Sequence, residues 1–440
     1  MAVHRIGHPS CRAAQCSLRV VACIVLTWIV FLLPAAAGAQ PITQRGFIDG
    51  RDFLFPQSAP NDATRNVGDL LAREEVFLKP SEWFQIAGGL DLRANSHDQV
   101  ENGFDWDDRA IRRPRLALRR LAVTLSKGPL TIDAGKVFVR WARADVLNPT
   151  DRFAPRDFMN VLDTDVLPVI AVHPSLHFRN ETFEAVWSPK LTPSRLPLFN
   201  QRWTVLPPAV QGLPIQDGGS ILPSGSEQGV RWSHAGSRFD ASLSFFDGFN
   251  HLPNIETRLL PTGPVPPGLV PPVLVPTGLE LTRVFPSLRS YGGDLAIPTQ
   301  WVTLKGEAAY FTSPESTNDE YVLYVIEIER QIREWVLVVG YAGEAVTENR
   351  GVFSFAPDRG IAKSFLGRAA YTVDPRRTVA IEAAVRQSGE GLYMKGEYSQ
   401  AFAQHWRLTL TGVGIEGQPD DFLGQFNHNS NVSIGLRFSF

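Results

Sequence analysis

The sequence predicts an all-β fold, a transmembrane antiparallel up-and-down β-barrel of about eighteen strands, or about sixteen if the first two segments form an extension. Three observations carry that expectation. Val432, Ile434, Leu436, Phe438 and Phe440 fall on one face of the last segment, and Ser433, Gly435, Arg437 and Ser439 on the other. A spanning strand needs this pattern: an apolar face for lipid, a polar face for a lumen, and an aromatic at the boundary. Beyond the leader, no apolar run approaches the roughly 20 residues of a helical span. Lastly, the connections between period-2 segments alternate between tight and long.

The leader carries Arg5, Arg12 and Arg19 and no acidic residue. An apolar run from Val20 to Leu33 follows, then Pro34-Ala35-Ala36-Ala37-Gly38-Ala39-Gln40. The small residues Ala37 and Ala39 mark a signal-peptidase site with Gln40 as the mature start, so 1–39 is expected to be a signal peptide and 40–440 the barrel. All three cysteines lie in this leader, which excludes disulfides, thiol chemistry and cysteine-bound metal downstream. Three of the 43 basic residues also lie there, so the remainder carries 40 − 45 = −5, with no basic domain for nucleic acid.

In chain order the period-2 segments are 46–56, 71–79, 82–95, 115–126, 129–141, 168–175, 179–188, 227–235 and 238–249. They continue as 284–298, 300–313, 319–331, 333–347, 360–373, 376–388, 391–402, 404–416 and 430–440. Val302, Leu304, Gly306, Ala308 and Tyr310 oppose Thr303, Lys305 and Glu307; Val379, Ile381, Ala383 and Val385 oppose Glu382 and Arg386; Leu392, Met394 and Tyr398 oppose Lys395 and Glu397. One face tolerates lipid and the other carries charges that do not. Tight turns fall at Lys79-Pro80-Ser81-Glu82, Ser126-Lys127-Gly128-Pro129 and Val373-Asp374-Pro375-Arg376, among others. Long connections fall near 96–114, 142–167, 189–226, 250–283, 348–359 and 417–429. Trp301, Trp335, Trp406, Tyr371, Phe402 and Phe440 lie near the tight-turn ends, as an interfacial girdle requires.

The C-terminal segment resembles the recognition strand of bacterial outer-membrane β-barrel proteins, with Ile434, Leu436, Phe438 and Phe440 as the assembly signal. Trp141-Ala142-Arg143-Ala144-Asp145-Val146-Leu147-Asn148-Pro149-Thr150-Asp151 resembles the strand-to-loop signature W-G-x-x-D-x-x-N-P-x-D of porin-like families, with Ala142 in place of glycine. The resemblance implies a channel in the bacterial outer membrane, short turns in the periplasm, and partners comprising membrane lipid, lipopolysaccharide, the barrel-assembly machinery and small solutes. It also admits a homo-oligomer.

Lys136 and Arg140 share a face and point inward if Val137, Val139 and Trp141 face lipid. Asn148-Pro149 initiates a turn onto which Asp151 can fold. Arg143, Asp145, Asp151, Arg152, Arg156 and Asp157 then form a lattice holding loop 142–167 in the lumen, either as a selectivity filter or as a structural latch. Arg120 adds a cationic wall if it joins Lys136 and Arg140, favouring anions; Arg113, Arg115 and Arg119 suit lipopolysaccharide phosphates at the outer rim if they point outward. Lys305, Glu307, Arg386, Lys395, Glu397 and Arg437 complete the expected lumen charges.

Pro261 to Pro276 is proline-dense and apolar, which fits either a lid or packing against 189–226. Gly412-Val413-Gly414-Ile415-Glu416-Gly417 lacks the following helix that a dinucleotide site needs. His173 and His177 flank Pro174 and suit a solvated turn rather than a metal site. No cofactor and no metal is expected, and without G-x-S-x-G or a Ser/His pair, no enzyme. The expected function is passive diffusion of small polar solutes, with anions favoured if the cationic wall forms. The alternatives are a transporter or exporter of hydrophobic or polysaccharide cargo gated by the Pro-rich loop, an outer-membrane enzyme, and a structural barrel.

Overall fold

Eighteen antiparallel strands, each bonded to its two neighbours in the chain, close into one barrel in a computed structural model that describes residues 42–205, 214–260, 278–316, 318–349 and 356–440. The leader, with Ala37, Ala39 and Gln40, and the proline-dense segment 261–276 lie outside the described residues. The first nine strands are β1 (Ile42–Leu54), β2 (Asn66–Ser81), β3 (Phe84–Asn95), β4 (Arg113–Lys127), β5 (Leu130–Val137), β6 (Val169–Phe178), β7 (Glu181–Ser188), β8 (Glu227–Ala235) and β9 (Asp240–Phe249). The others are β10 (Ser287–Pro298), β11 (Thr303–Thr312), β12 (Glu320–Ile332), β13 (Trp335–Glu348), β14 (Ser364–Asp374), β15 (Arg377–Arg386), β16 (Gly391–Phe402), β17 (Trp406–Gly417) and β18 (Asn431–Ser439).

β1 pairs with β2 over its whole length and with β18 from Phe47↔Ser439 to Leu54↔Val432. Gly46 and Phe440 exchange two backbone bonds of 3.0 Å at the seam. Closure leaves no strand edge, and every backbone N–H and C=O of the wall can be satisfied internally, as lipid demands. The segments at 42–54 and 66–81 are therefore staves of the wall, and the count is eighteen rather than sixteen.

Alternation sorts the side chains as the sequence predicts. Ile326, Ile328, Val339, Ile381, Met394, Val432, Ile434 and Leu436 stand exposed on the outer surface. On the tight-turn side Trp301 is 72% exposed, with Trp83, Trp335, Phe402, Trp406 and Phe440 also exposed. Phe438 stacks among Trp406 and Phe440, with ring centroids 5.0 and 6.1 Å away. His173 lies within β6 and His177 at its end, one residue before the last, so neither sits in a turn; His173 Nε2 sits 3.1 Å from Glu184 and His177 Nδ1 3.1 Å from Thr182.

The long connections carry their own structure. Val100–Asp105 runs parallel to the start of β4. Ile215–Ile221 pairs in parallel with Gly278–Val284, which pairs antiparallel with Asn254–Leu260. The flanks of the proline-dense loop thus pack on the 189–226 connection, one of the two arrangements its composition allows.

Candidate permeation pathway

The largest departure from the sequence reading begins at Gly135. Its φ is +120°, a region that side chains avoid, and an added Cβ would lie 2.2 Å from the Leu121 carbonyl oxygen. β5 consequently ends at Val137, four residues short of the expected strand end at Trp141. Val137, Val139 and Trp141 do not face lipid; they are buried with Phe153, Val169, Ala171, Val186 and Phe246. Trp141 meets Phe153 edge-on at 5.4 Å, and Phe153 meets Phe246 at 5.1 Å. This apolar cluster draws the chain off the wall and into the barrel.

Two sets of polar bonds then fix the loop. Asp151 accepts the backbone N–H of Trp141 (2.6 Å) and Ala142 (2.8 Å) and Nε of Arg140 (2.6 Å), while its own N–H donates to the Asn148 carbonyl (3.3 Å) and closes the Asn148-Pro149 turn. Glu307, an inward side chain of β11, accepts the N–H of Arg143 (2.8 Å), Ala144 (2.9 Å) and Thr150 (2.9 Å), plus the Thr150 hydroxyl (2.9 Å). Glu327 of β12 accepts the N–H of Asp145 and Val146, at 3.1 and 3.3 Å. Arg143 reaches Asp294 of β10 and Asp240 of β9, and Lys305 ties Asp145 (2.8 Å) to Glu329 (2.6 Å). Carboxylates on consecutive strands thus receive backbone donors of a loop that left the wall at β5. Charge-assisted bonds of this kind contribute about 1.5–3 kcal/mol each.

A second network binds the rest of the loop. Lys136 is not a lumen charge. It is buried, paired with Asp108 at 2.5 Å, and donates to the Trp106 carbonyl at 3.0 Å. Asp108 also pairs with Arg195 (2.7 Å), and Arg195 approaches Asp157 at 3.7 Å. Burial raises the Asp157 carboxyl, but Arg113 first and Arg195 next outweigh it, so the group is held well below the usual carboxylate range. Arg113 and Arg119 point inward, against an outer-rim role for them. Asn148 donates to the Ala144 carbonyl and accepts from Arg156, both at 2.6 Å. Arg386 pairs with Asp421 at 2.7 Å near the long-loop end.

The 189–205 segment enters the mouth as well, which the sequence reading missed. Asn61 donates to the carbonyls of Phe199 (3.2 Å) and Gln201 (2.8 Å), and Trp203 packs on Phe426 at 5.4 Å. Asp62 accepts from Thr64 N–H (2.9 Å) and Arg202 N–H (3.1 Å) and meets His97 at 2.8 Å. Burial pushes the Asp62 carboxyl up, but the Thr64 and His97 bonds prevail and lower it.

These loops leave a polar cavity of about 570 Å³ along β1 and β16–β18. On its loop side stand Asn160, Asp163 and Trp203; on its wall side Arg51, Lys395, Glu397, Arg407 and Arg437. Arg437 pairs with Asp49 at 2.6 Å, and Lys395 lies 3.9 Å from Glu397. Asp163 reaches Arg51 at 3.6 Å; Asp165 reaches Arg93 at 3.6 Å and Arg73 at 3.8 Å. Arg73, Arg93 and Arg119 all converge on Asp91. Arg120 faces inward beside them, 6.0 Å from the Phe138 ring.

Of the residues expected in the lumen from sequence, Lys395, Glu397 and Arg437 line this cavity. Arg140, Arg143, Asp145, Asn148, Asp151, Arg156, Asp157, Lys305 and Glu307 hold the loop instead; Glu307 is 3% exposed. The arginines Arg51, Arg73 and Arg93 were missed. Their signal was present: each shares a strand face with an acidic neighbour two residues away (Asp49, Glu75, Asp91), opposite outward Ile48, Leu70 and Val76.

This architecture is that of solved porins. A BenF-like porin from Pseudomonas fluorescens Pf-5 matches with a TM-score of 0.50 over 91% of this chain and 98% of that one, at 9% identity. OccAB4 of Acinetobacter baumannii matches with 0.51 over 90% and 97%, at 10% identity. Likeness at this identity establishes a shared fold, the closed antiparallel barrel. No family model matches the chain, and no curated protein matches it.

Proposed function

We propose that this protein is a bacterial outer-membrane channel through which small polar solutes diffuse passively, by the cavity between the in-folded loops and the wall of β1 and β16–β18. The carrying observation is the charge arrangement there. Arg51, Lys395, Arg407 and Arg437 line its wall with Asp49 and Glu397 among them, and Asp163 stands opposite on the loop; Arg73, Arg93 and Arg119 with Asp91 and Asp165 continue the charged surface beside it. Four cations against two carboxylates on the cavity wall leave an excess of two, so the wall favours anions while the loop sets a transverse field. The porin name of the matched Pseudomonas fluorescens structure supports the same class. The leader is read as a secretion signal cleaved before Gln40, and the C-terminal Phe440 strand as the segment the assembly machinery recognises. The pairing of Arg140, Arg143, Asp145 and Asp157 supports a latch role for the lattice, and the reading assigns selectivity to the cationic wall.

Planar-bilayer recording of the refolded barrel tests this reading. Stepwise conductance with anion preference, weakened in the Arg51→Ala/Arg437→Ala variant, is the expected result. A folded but silent barrel would overturn it.

A further inference from the structure

The tight-turn rim carries a pattern that permeation does not use. Six of its eight turns have an exposed cation on or beside them: Lys79, Lys127, Arg179, Arg238, Arg333 and Arg376. None of the six forms an ion pair among the described residues. On or beside the same turns lie Glu82, Glu181, Asp240, Glu334 and Asp374; Asp374 is held by Arg377 at 2.6 Å and Asp240 by Arg143 at 3.0 Å, while Glu181 accepts from Trp232 at 2.7 Å. Six free cations against the three carboxylates that no Arg or Lys holds (Glu82, Glu181 and Glu334) leave an excess of three. At the opposite end most cations are paired, as in Arg112–Asp98 (3.0 Å), Lys190–Asp107 (2.6 Å) and Arg283–Asp217 (2.6 Å).

Two further features mark the rim as built for an anion at a fixed height. Arg179 (φ 55°) and Arg333 (φ 52°) occupy left-handed positions of two-residue hairpins, where glycine or asparagine fits without steric cost. Arg179 and Arg238 directly adjoin exposed Phe178 and Phe239, and Arg333 lies two residues from exposed Trp335, aromatics of the kind that lie at the level of lipid headgroups. Arg179 lies 5.3 Å over the Phe178 ring. A cation one residue from a headgroup-level aromatic reaches headgroup phosphate by the short path that long basic side chains take in membranes.

We infer that this rim binds the phosphates of anionic phospholipid headgroups in the leaflet it borders, anchoring the depth and tilt of the barrel. This goes beyond the channel reading and does not depend on it. The experiment uses the refolded barrel in equimolar phosphatidylglycerol and phosphatidylcholine vesicles, followed by mild extraction and analysis of the retained lipid. The expected result is about threefold enrichment of phosphatidylglycerol. Enrichment should vanish in the variant with all six residues changed to Gln and persist when the four arginines become Lys. It should be unchanged in Arg65→Gln/Lys363→Gln, at the opposite end. Should the sixfold variant not fold, two triple variants (Lys79, Lys127, Arg238 and Arg179, Arg333, Arg376, each to Gln) should each lose part of it. No enrichment in the parent barrel, or full enrichment in folded charge-neutral variants, would overturn the inference. So would loss of enrichment to inorganic phosphate at constant ionic strength, which would assign the rim to free phosphate. Conductance recorded alongside keeps the two readings separate, since a silent barrel can still retain lipid.

Discussion

Arg113 grips Asp157 with two parallel bonds, Nε to Oδ2 at 2.7 Å and Nη2 to Oδ1 at 3.0 Å. One residue opens a wall strand and the other lies deep in the loop after β5, so the pair joins the staves to the insert that narrows them. Through Arg195 and Asp108 it extends to Lys136. Each member sits between opposite charges, which is what makes burial of so many ionised groups tolerable.

Removing the acceptor at the opposite side of the loop should loosen it. Glu307→Ala leaves three backbone N–H groups and a hydroxyl without their partner. A loss of about 3 kcal/mol in denaturant unfolding is expected, together with noisier, larger conductance steps. Unchanged stability with unchanged conductance would contradict the latch.

The loop aspartates should temper the cationic wall. Asp163→Asn/Asp165→Asn should shift the reversal potential toward stronger anion preference. The effect should shrink between 0.1 M and 1 M salt, as the screening length falls from about 10 to about 3 Å. A shift toward cations would refute the proposed division of charge.

Acid should release the mouth loops in a defined direction. Asp62 and Asp157 both have lowered folded-state affinity for protons. Their stabilisation is therefore fully present above the unfolded carboxylate value of about 3.9 and lost as pH falls through the lower folded values. Protease protection of segments 55–65 and 189–205 should be flat from neutral pH down to about 5, then decline in stronger acid. Asp62→Asn should weaken protection already at neutral pH and flatten part of the acid response.

Gly135 should not accept a side chain. Gly135→Ala combines a φ of +120° with a Cβ 2.2 Å from a carbonyl oxygen. A cost of about 1–3 kcal/mol is expected, read as a lower unfolding midpoint. Parent-like stability would show that the strand end relaxes freely.

Period-2 alternation determined the barrel, because a spanning strand must present lipid and lumen on opposite faces and each segment records that requirement locally. Val432 to Phe440, Thr303 to Tyr310 and Leu392 to Tyr398 were legible for this reason, as was the rhythm of tight turns and long connections. The fate of the charges was not local. Lys136, Glu307 and Arg437 all sit on inward faces, yet one is buried under a loop, one receives that loop, and one lines the cavity. Their roles follow from which connection folds inward and which wall it reaches. A kink at Gly135 and the apolar burial of Trp141, Phe153 and Phe246 decide the first; carboxylates some 150 residues away in sequence decide the second. Alternation assigns a side chain to a face, whereas its partner across the lumen is set only when the closed wall brings distant strands together.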